Sequence, residues 1–139
     1  MTKVFLSYSD HDRDFVQWVT RALAQAGIAT NLDQPASFSA TDFASAIREA
    51  IQAADAFLVI LSDNSLSSRS IMLEIGMAQG LGKQVIAVAA PGTKPDLNLL
   101  RSLADGYILD AATLKQPELS ARLQQALQGK HVQDTGTTA

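Results

Sequence analysis

The sequence predicts an α/β domain built on a five-stranded parallel sheet with helices on both faces. Three observations predict it. The 139 residues suit a single domain with one core. Short apolar runs, above all Ala56-Phe57-Leu58-Val59-Ile60-Leu61, are uninterrupted, as in strands covered on both sides. Between the runs, apolar residues recur with a helical period. Strands that alternate with helices are joined by right-handed crossovers into a parallel sheet, for which the strand order 2-1-3-4-5 is expected.

Each element has its own signal. Val4-Phe5-Leu6 is rich in strand formers, and Ser7-Tyr8-Ser9-Asp10 closes it with residues that favour turns and helix caps. From Asp12 onward Phe15, Trp18, Val19, Ala22 and Leu23 fall on one helical face, and Gly27 marks the stop. A second, more polar strand over 28–32 ends at Asp33 and is followed by the loop 34–39. Ser39 or Thr41 caps the next helix, whose apolar positions include Phe43, Ala44, Ile47, Ala50 and Ile51. The central strand 56–61 leads through a polar loop, Ser62 to Ser65, into a helix over about 68–81 that Gly82 ends. A fourth strand over 85–90, a weaker helix over about 97–103, a fifth strand at Tyr107-Ile108-Leu109 and a last amphipathic helix over 118–127 complete the pattern. The domain is expected over 1–128, with 129–139 a flexible polar tail or a linker, which leaves room for a fused or separate sensor domain.

Composition removes several function classes. Eleven Lys and Arg stand against fourteen Asp and Glu, a formal charge of −3, and no basic block suits a phosphate backbone, so nucleic acid is not expected as a partner. With no cysteine there is no disulfide, thiolate zinc site or cysteine nucleophile. His11 and His131 lie far apart, which leaves no histidine metal cluster. No apolar run is long enough to span a bilayer, and the first residues lead straight into a strand, so a cytoplasmic location is expected.

The familiar phosphate cradles are missing as well. No G-x-G-x-x-G follows the first strand, and no G-x-x-x-x-G-K-[ST] occurs. A phosphoacceptor receiver domain would have an aspartate after strand three and a lysine after strand five, where this chain has Ser62 and Asp110. Without a G-x-S-x-G elbow or a second histidine in the folded part, a Ser-His-Asp triad has no basis. Asp10, His11 and Asp12 form a possible acid–base group, but helix capping and first-turn charge compensation account for them more simply.

One carboxylate stands apart. In the run Ile71-Met72-Leu73-Glu74-Ile75-Gly76-Met77-Ala78, a turn of about 100° per residue places Ser67, Ser70, Ile71, Met77, Ala78 and Leu81 around the direction of Glu74. Arg69, Gln79 and Lys83 lie on the opposite side. A carboxylate on an inward, largely apolar face is costly unless it is partnered or borders a cleft. Serine hydroxyls or first-turn amides could satisfy it structurally. Yet the helix follows strand three, so its first turns lie at the rim beyond the strand ends where such sheets bind ligands.

These residues, taken together, resemble a TIR (Toll/interleukin-1 receptor) domain of bacterial type. The resemblance rests on Val4-Phe5-Leu6-Ser7-Tyr8-Ser9 with Asp12 and Phe15, on Asp33, on Ile47-x-x-Ala50-Ile51, and on Leu58-Val59-Ile60-Leu61-Ser62. It continues through Ser65-x-x-Ser68, Glu74-Ile75 and Lys83-x-Val85-Ile86, and so covers about 3–127. It implies a flavodoxin-like sheet and, as in many bacterial members, cleavage of the nicotinamide–ribose bond of NAD+ to ADP-ribose or a cyclic product, with Glu74 catalytic. NAD+ is then substrate, and no cofactor or metal is expected. Two departures stand out: Ser70 and Ile71 occupy places where the family often has Trp-Cys, and the loop after strand two has no glycine.

Ser7, Tyr8, Ser9, Ser62 and Ser70 are expected at the rim, with Phe38 an aromatic wall and Asp33 holding the second loop. The resemblance also implies activation through TIR–TIR self-association, in a setting such as antiphage defence or host interference. It leaves two alternatives. One is a non-catalytic signalling adaptor that acts through TIR–TIR contacts. The other is a nucleoside deoxyribosyltransferase-like enzyme, to which Glu74-Ile75-Gly76-x-Ala78-x-Gly80-x-Gly82-Lys83-x-Val85-Ile86 is similar.

Overall fold

The computed structural model describes residues 2–31, 40–93 and 108–127. In chain order the elements are β1 (Lys3–Ser7), a 3₁₀ turn (Asp10–Asp12), α1 (Arg13–Gln25), β2 (Ala29–Asn31), α2 (Ala40–Ala53) and β3 (Ala56–Leu61). They continue as α3 (Asp63–Leu66), α4 (Arg69–Gly80), β4 (Gln84–Ala89), β5 (Ile108–Asp110) and α5 (Gln116–Leu127). The five strands form one sheet in the order β2-β1-β3-β4-β5, as expected, and all its neighbouring pairs are parallel. The chain reverses direction across the sheet between β1 and β3, which is where a crevice opens beyond the strand ends.

Because successive strand residues point to opposite faces, β1, β3 and β4 each feed two cores. Val4 and Leu6 of β1, Leu58 and Ile60 of β3, and Ile86 and Val88 of β4 pack with Val19 and Leu23 of α1 and Leu119 and Leu123 of α5. On the other face Phe5, Phe57, Val59, Leu61, Val85 and Ala87 meet Ile47 and Ile51 of α2 and Ile71, Ile75 and Ala78 of α4. The register Phe5↔Phe57 stacks two fully buried rings at 5.5 Å with 9° between their planes. Polar latches fix the outer helices: Gln116 Nε2 donates to the Trp18 carbonyl at 3.0 Å, and Gln84 Nε2 to the Ala126 carbonyl at 2.9 Å.

Helix ends follow local chemistry. Gly27 at φ 75° ends α1, where the Ile28 N–H returns to the Leu23 carbonyl at 2.9 Å, and Gly82 at φ 71° ends α4 with the Lys83 N–H on the Ala78 carbonyl. Both are left-handed positions that glycine adopts without the steric cost of a Cβ.

One expectation is corrected. The polar stretch after β3 is not an open loop but the single-turn helix α3. Its residues form a capping box in which Ser62 Oγ accepts from the Ser65 N–H at 3.1 Å and Ser65 Oγ accepts from the Ser62 N–H at 2.8 Å. The expected helix over 97–103, Tyr107, and the tail 129–139 lie outside the described residues.

Candidate active site

Strand parity brings the two ends of the site together. In β1 the residues facing α2 and α4 are Phe5 and then Ser7, the last residue of the strand and itself buried. Ser68 begins α4 as its N-cap, accepting from the Ile71 N–H at 3.3 Å. The buried stripe of this helix is Ile71, Ile75 and Ala78, and Glu74 stands partly buried at its margin. Ser7 Oγ donates to Glu74 Oε1 at 2.8 Å, across 67 residues of sequence.

Two forces act on this carboxyl group. Burial disfavours its charged form and raises its pKa above the ordinary value of 4.5; the hydrogen bond from Ser7 favours the charged form and offsets part of that rise. The serine therefore partners the acid without neutralising it. In its charged form this carboxylate has lost much of its water, so its field on a neighbouring group is less screened than in solvent.

Beside Glu74 opens a cleft of about 360 Å³. Tyr8, Ser9, Asp10 and His11 from the loop after β1 line one side, and Ser68, Ser70, Ile71 and Glu74 of the α4 segment line the other. Among these lining residues His11 alone is basic, beside the acidic Asp10 and Glu74. Tyr8 also leans on the α1–α5 core, and Ser9 caps the 3₁₀ turn by accepting from the His11 N–H at 3.3 Å.

The residues singled out in the sequence thus fall in three groups. Glu74, Tyr8, Ser9 and Ser70 line the cleft, and Ser7 reaches it through its bond to Glu74. Ser62 lies elsewhere: it is buried, caps α3, and its hydroxyl donates to Asp12 Oδ2 at 2.5 Å. Asp33 and Phe38 lie outside the described residues. Asp10, His11, Ser68 and Ile71 line the cleft as well, beyond the residues expected there. The first two carry a capping pattern that accounts for them locally, and only the fold brings their loop opposite α4.

Asp12 also departs from the capping account. It stands at the N-cap of α1, yet its side chain makes no cap hydrogen bond. Its two oxygens instead accept from Ser62 Oγ and, at 3.0 Å, from Asn64 Nδ2.

A parallel α/β domain with an acid at its switch-point rim is the class that this geometry defines. Residues 4–127 match the family model of the TIR domain, and the chain belongs to that family. No curated protein matches the sequence closely. Among solved structures it is similar to the TIR domain of the Toll-related receptor TRR-2 of Hydra magnipapillata, with 20% identity, a TM-score of 0.62, and 94% of this chain and 95% of that one covered. It is also similar to the CMP N-glycosidase BcmB of Clostridium botulinum, with 18% identity, a TM-score of 0.62, and coverage of 88% and 98%. A third likeness is to the TIR domains of the activated Roq1 resistosome, with 19% identity, a TM-score of 0.54, and coverage of 93% and 82%. At these identities the likenesses speak to the fold. Among the described residues no helix is long and apolar enough to cross a membrane.

Proposed function

We propose that this TIR domain is an NAD+ glycohydrolase that works in self-assembled form, with Glu74 as its catalytic carboxylate. The observation that carries the reading is Glu74 itself, partly buried, hydrogen-bonded by Ser7, and open to a cleft at the sheet's switch point. The volume of that cleft lies near the lower end for small-molecule sites and suits a nucleoside portion, the rest of a dinucleotide lying outside.

The chemistry asks little of the protein beyond this. Alkoxide leaving groups require a proton, which is why most glycosidases carry two carboxyl groups. The nicotinamide of NAD+ is a pyridinium: the bond between its ring nitrogen and C1′ breaks, the electron pair stays on nitrogen, and a neutral amide departs. Positive charge develops on the ribose, and one sheltered carboxylate supplies the stabilising field or captures C1′ covalently. Water then adds at C1′ and releases a proton to give ADP-ribose, or an adenine nitrogen adds to give a cyclic product. The likeness to a protein named as an N-glycosidase supports a sugar–base bond as the target. The likeness to TIR domains of an activated resistosome supports assembly as the active form.

The test is nicotinamide release by purified protein over a series of concentrations, with particle size followed in the same samples. Release per mole of protein is expected to rise as assemblies form. If no nicotinamide appears even where assemblies dominate, the enzymatic reading fails and the signalling adaptor takes its place.

A further inference from the structure

We propose that Asp12 is a positioning residue of the cleft, whose carboxylate fastens the wall built from the loop after β1 to the segment that leads from β3 into α4. The kinetic part of this proposal rests on the reading of Glu74 as catalytic; the structural part does not. Aspartate at an N-cap ordinarily accepts from the first amides of its own helix. Asp12 accepts from none of them, and both of its oxygens are engaged 50 and 52 residues away, by Ser62 Oγ at 2.5 Å and Asn64 Nδ2 at 3.0 Å.

The donors are themselves fixed. Ser62 is buried, and its oxygen accepts from the Ser65 N–H while its proton goes to Asp12. The capping box that closes α3 therefore presents the hydroxyl to Asp12 at a set place. Between Ser7, which ends β1, and Asp12 lie the four residues that form one wall of the cleft. That wall is thus tied at both ends: by the strand and the Ser7–Glu74 bond at one, and by Asp12 at the other. The facing wall starts at Ser68, shortly after α3, so the clamp spans the bases of both walls and sets their separation. Without it the wall of Tyr8 and His11 swings away from Glu74, and a displacement of about 1 Å at a reacting centre costs as much as 10²-fold in rate.

The test compares Asp12→Ala, Asp12→Asn and the exchange variant Asp12→Asn/Asn64→Asp with wild type in the full chain. In the exchange variant the new amide at 12 donates to the new carboxylate at 64, and its oxygen still accepts from Ser62. Two readouts are taken: hydrogen exchange at the Asp12 and Leu66 amides, which bond to the Ser9 and Ser62 carbonyls at 2.9 and 3.0 Å, and kcat and KM for nicotinamide release. In Asp12→Ala these amides are expected to exchange about tenfold faster while those of β4 and α5 hold their rates, the mark of local opening. Asp12→Asn, which keeps one acceptor, gives the same shift at smaller amplitude.

With the loop loosened, kcat falls about tenfold or more and KM changes less, and the exchange variant restores both readouts toward wild type. Unchanged exchange in Asp12→Ala, faster exchange spread evenly over the chain, or lost loop protection with kcat intact overturns the proposal. So does an exchange variant that restores neither readout. The exchange data decide the clamp even for a protein that releases no nicotinamide, a result that sinks the glycohydrolase reading by itself.

Discussion

Glu74→Gln is expected to lower nicotinamide release by about 10²- to 10³-fold, the usual cost of removing one preorganised charge-stabilising group, and at the same time to raise the melting temperature at neutral pH. Glutamine keeps an oxygen for the Ser7 hydroxyl and nearly the same volume, so the 2.8 Å contact and the α4 packing survive. What it lacks is the negative charge that faces the ribosyl cation. The stability gain has the same origin. Burial raises the native-state pKa of Glu74 above its unfolded value, so the folded protein gives up this proton less readily than the unfolded chain does. The stabilising contribution of the protonated form is complete below the unfolded pKa and is lost as pH rises through the folded pKa. The glutamine variant escapes that loss. Its advantage is therefore largest at neutral pH and fades as pH falls toward the ordinary carboxylate value. Thermal unfolding across pH reads both the sign and the fading, and a variant that melts lower than wild type at neutral pH would contradict the burial argument.

Phe57→Ala is expected to cost about 3–5 kcal/mol in urea unfolding, a large share of the ~5–15 kcal/mol by which domains of this kind are stable. Phe57 is fully buried in the central strand and stacks on Phe5 across β1 and β3, so truncation loses the transfer free energy of the ring and leaves a cavity that main-chain pairing prevents from closing. Leu73→Ala is the contrasting change. Leu73 is an exposed residue of α4, 62% accessible, and its truncation stays within about 0.5 kcal/mol. A Phe57→Ala loss as small as that of Leu73→Ala would show that the sheet repacks around the gap. The consequence reaches the site as well, since Phe5 and Ser7 project from the same face of β1.

The sheet was legible because its signals are local and repeated. An uninterrupted apolar hexapeptide such as 56–61 fits no surface element, and helix periodicity before and after it leaves a parallel crossover as the natural connection. Glu74 was legible for a related reason: helical phase placed a charge beside the buried stripe of Ile71, Ile75 and Ala78, which only a partner or a cleft makes affordable. Its partner was legible in principle from strand parity, since Ser7 follows Phe5 by two residues.

What sequence did not reveal are contacts between loops distant in the chain. Ser62 and Asp12 each carry a capping signal that accounts for them locally, and nothing in a one-dimensional pattern says that their side chains meet. Helix α3 was hidden likewise, because a capping box one turn long has no room for apolar periodicity. The lining roles of Asp10 and His11 depend on how the loop after β1 faces α4, a tertiary relation that periodicity does not encode.

If Glu74 works as an ionised, sheltered carboxylate, the pH dependence of kcat/KM for nicotinamide release reports its titration, in wild type and in Ser7→Ala. An acid limb is expected in wild type with its midpoint above the ordinary carboxylate pKa of 4.5, because burial raises that of Glu74. Removing the Ser7 hydroxyl takes away the bond that favours the charged form, so the limb moves to still higher pH. A profile that stays flat through the carboxylate range, or an acid limb that Ser7→Ala leaves in place, would contradict that role for Glu74.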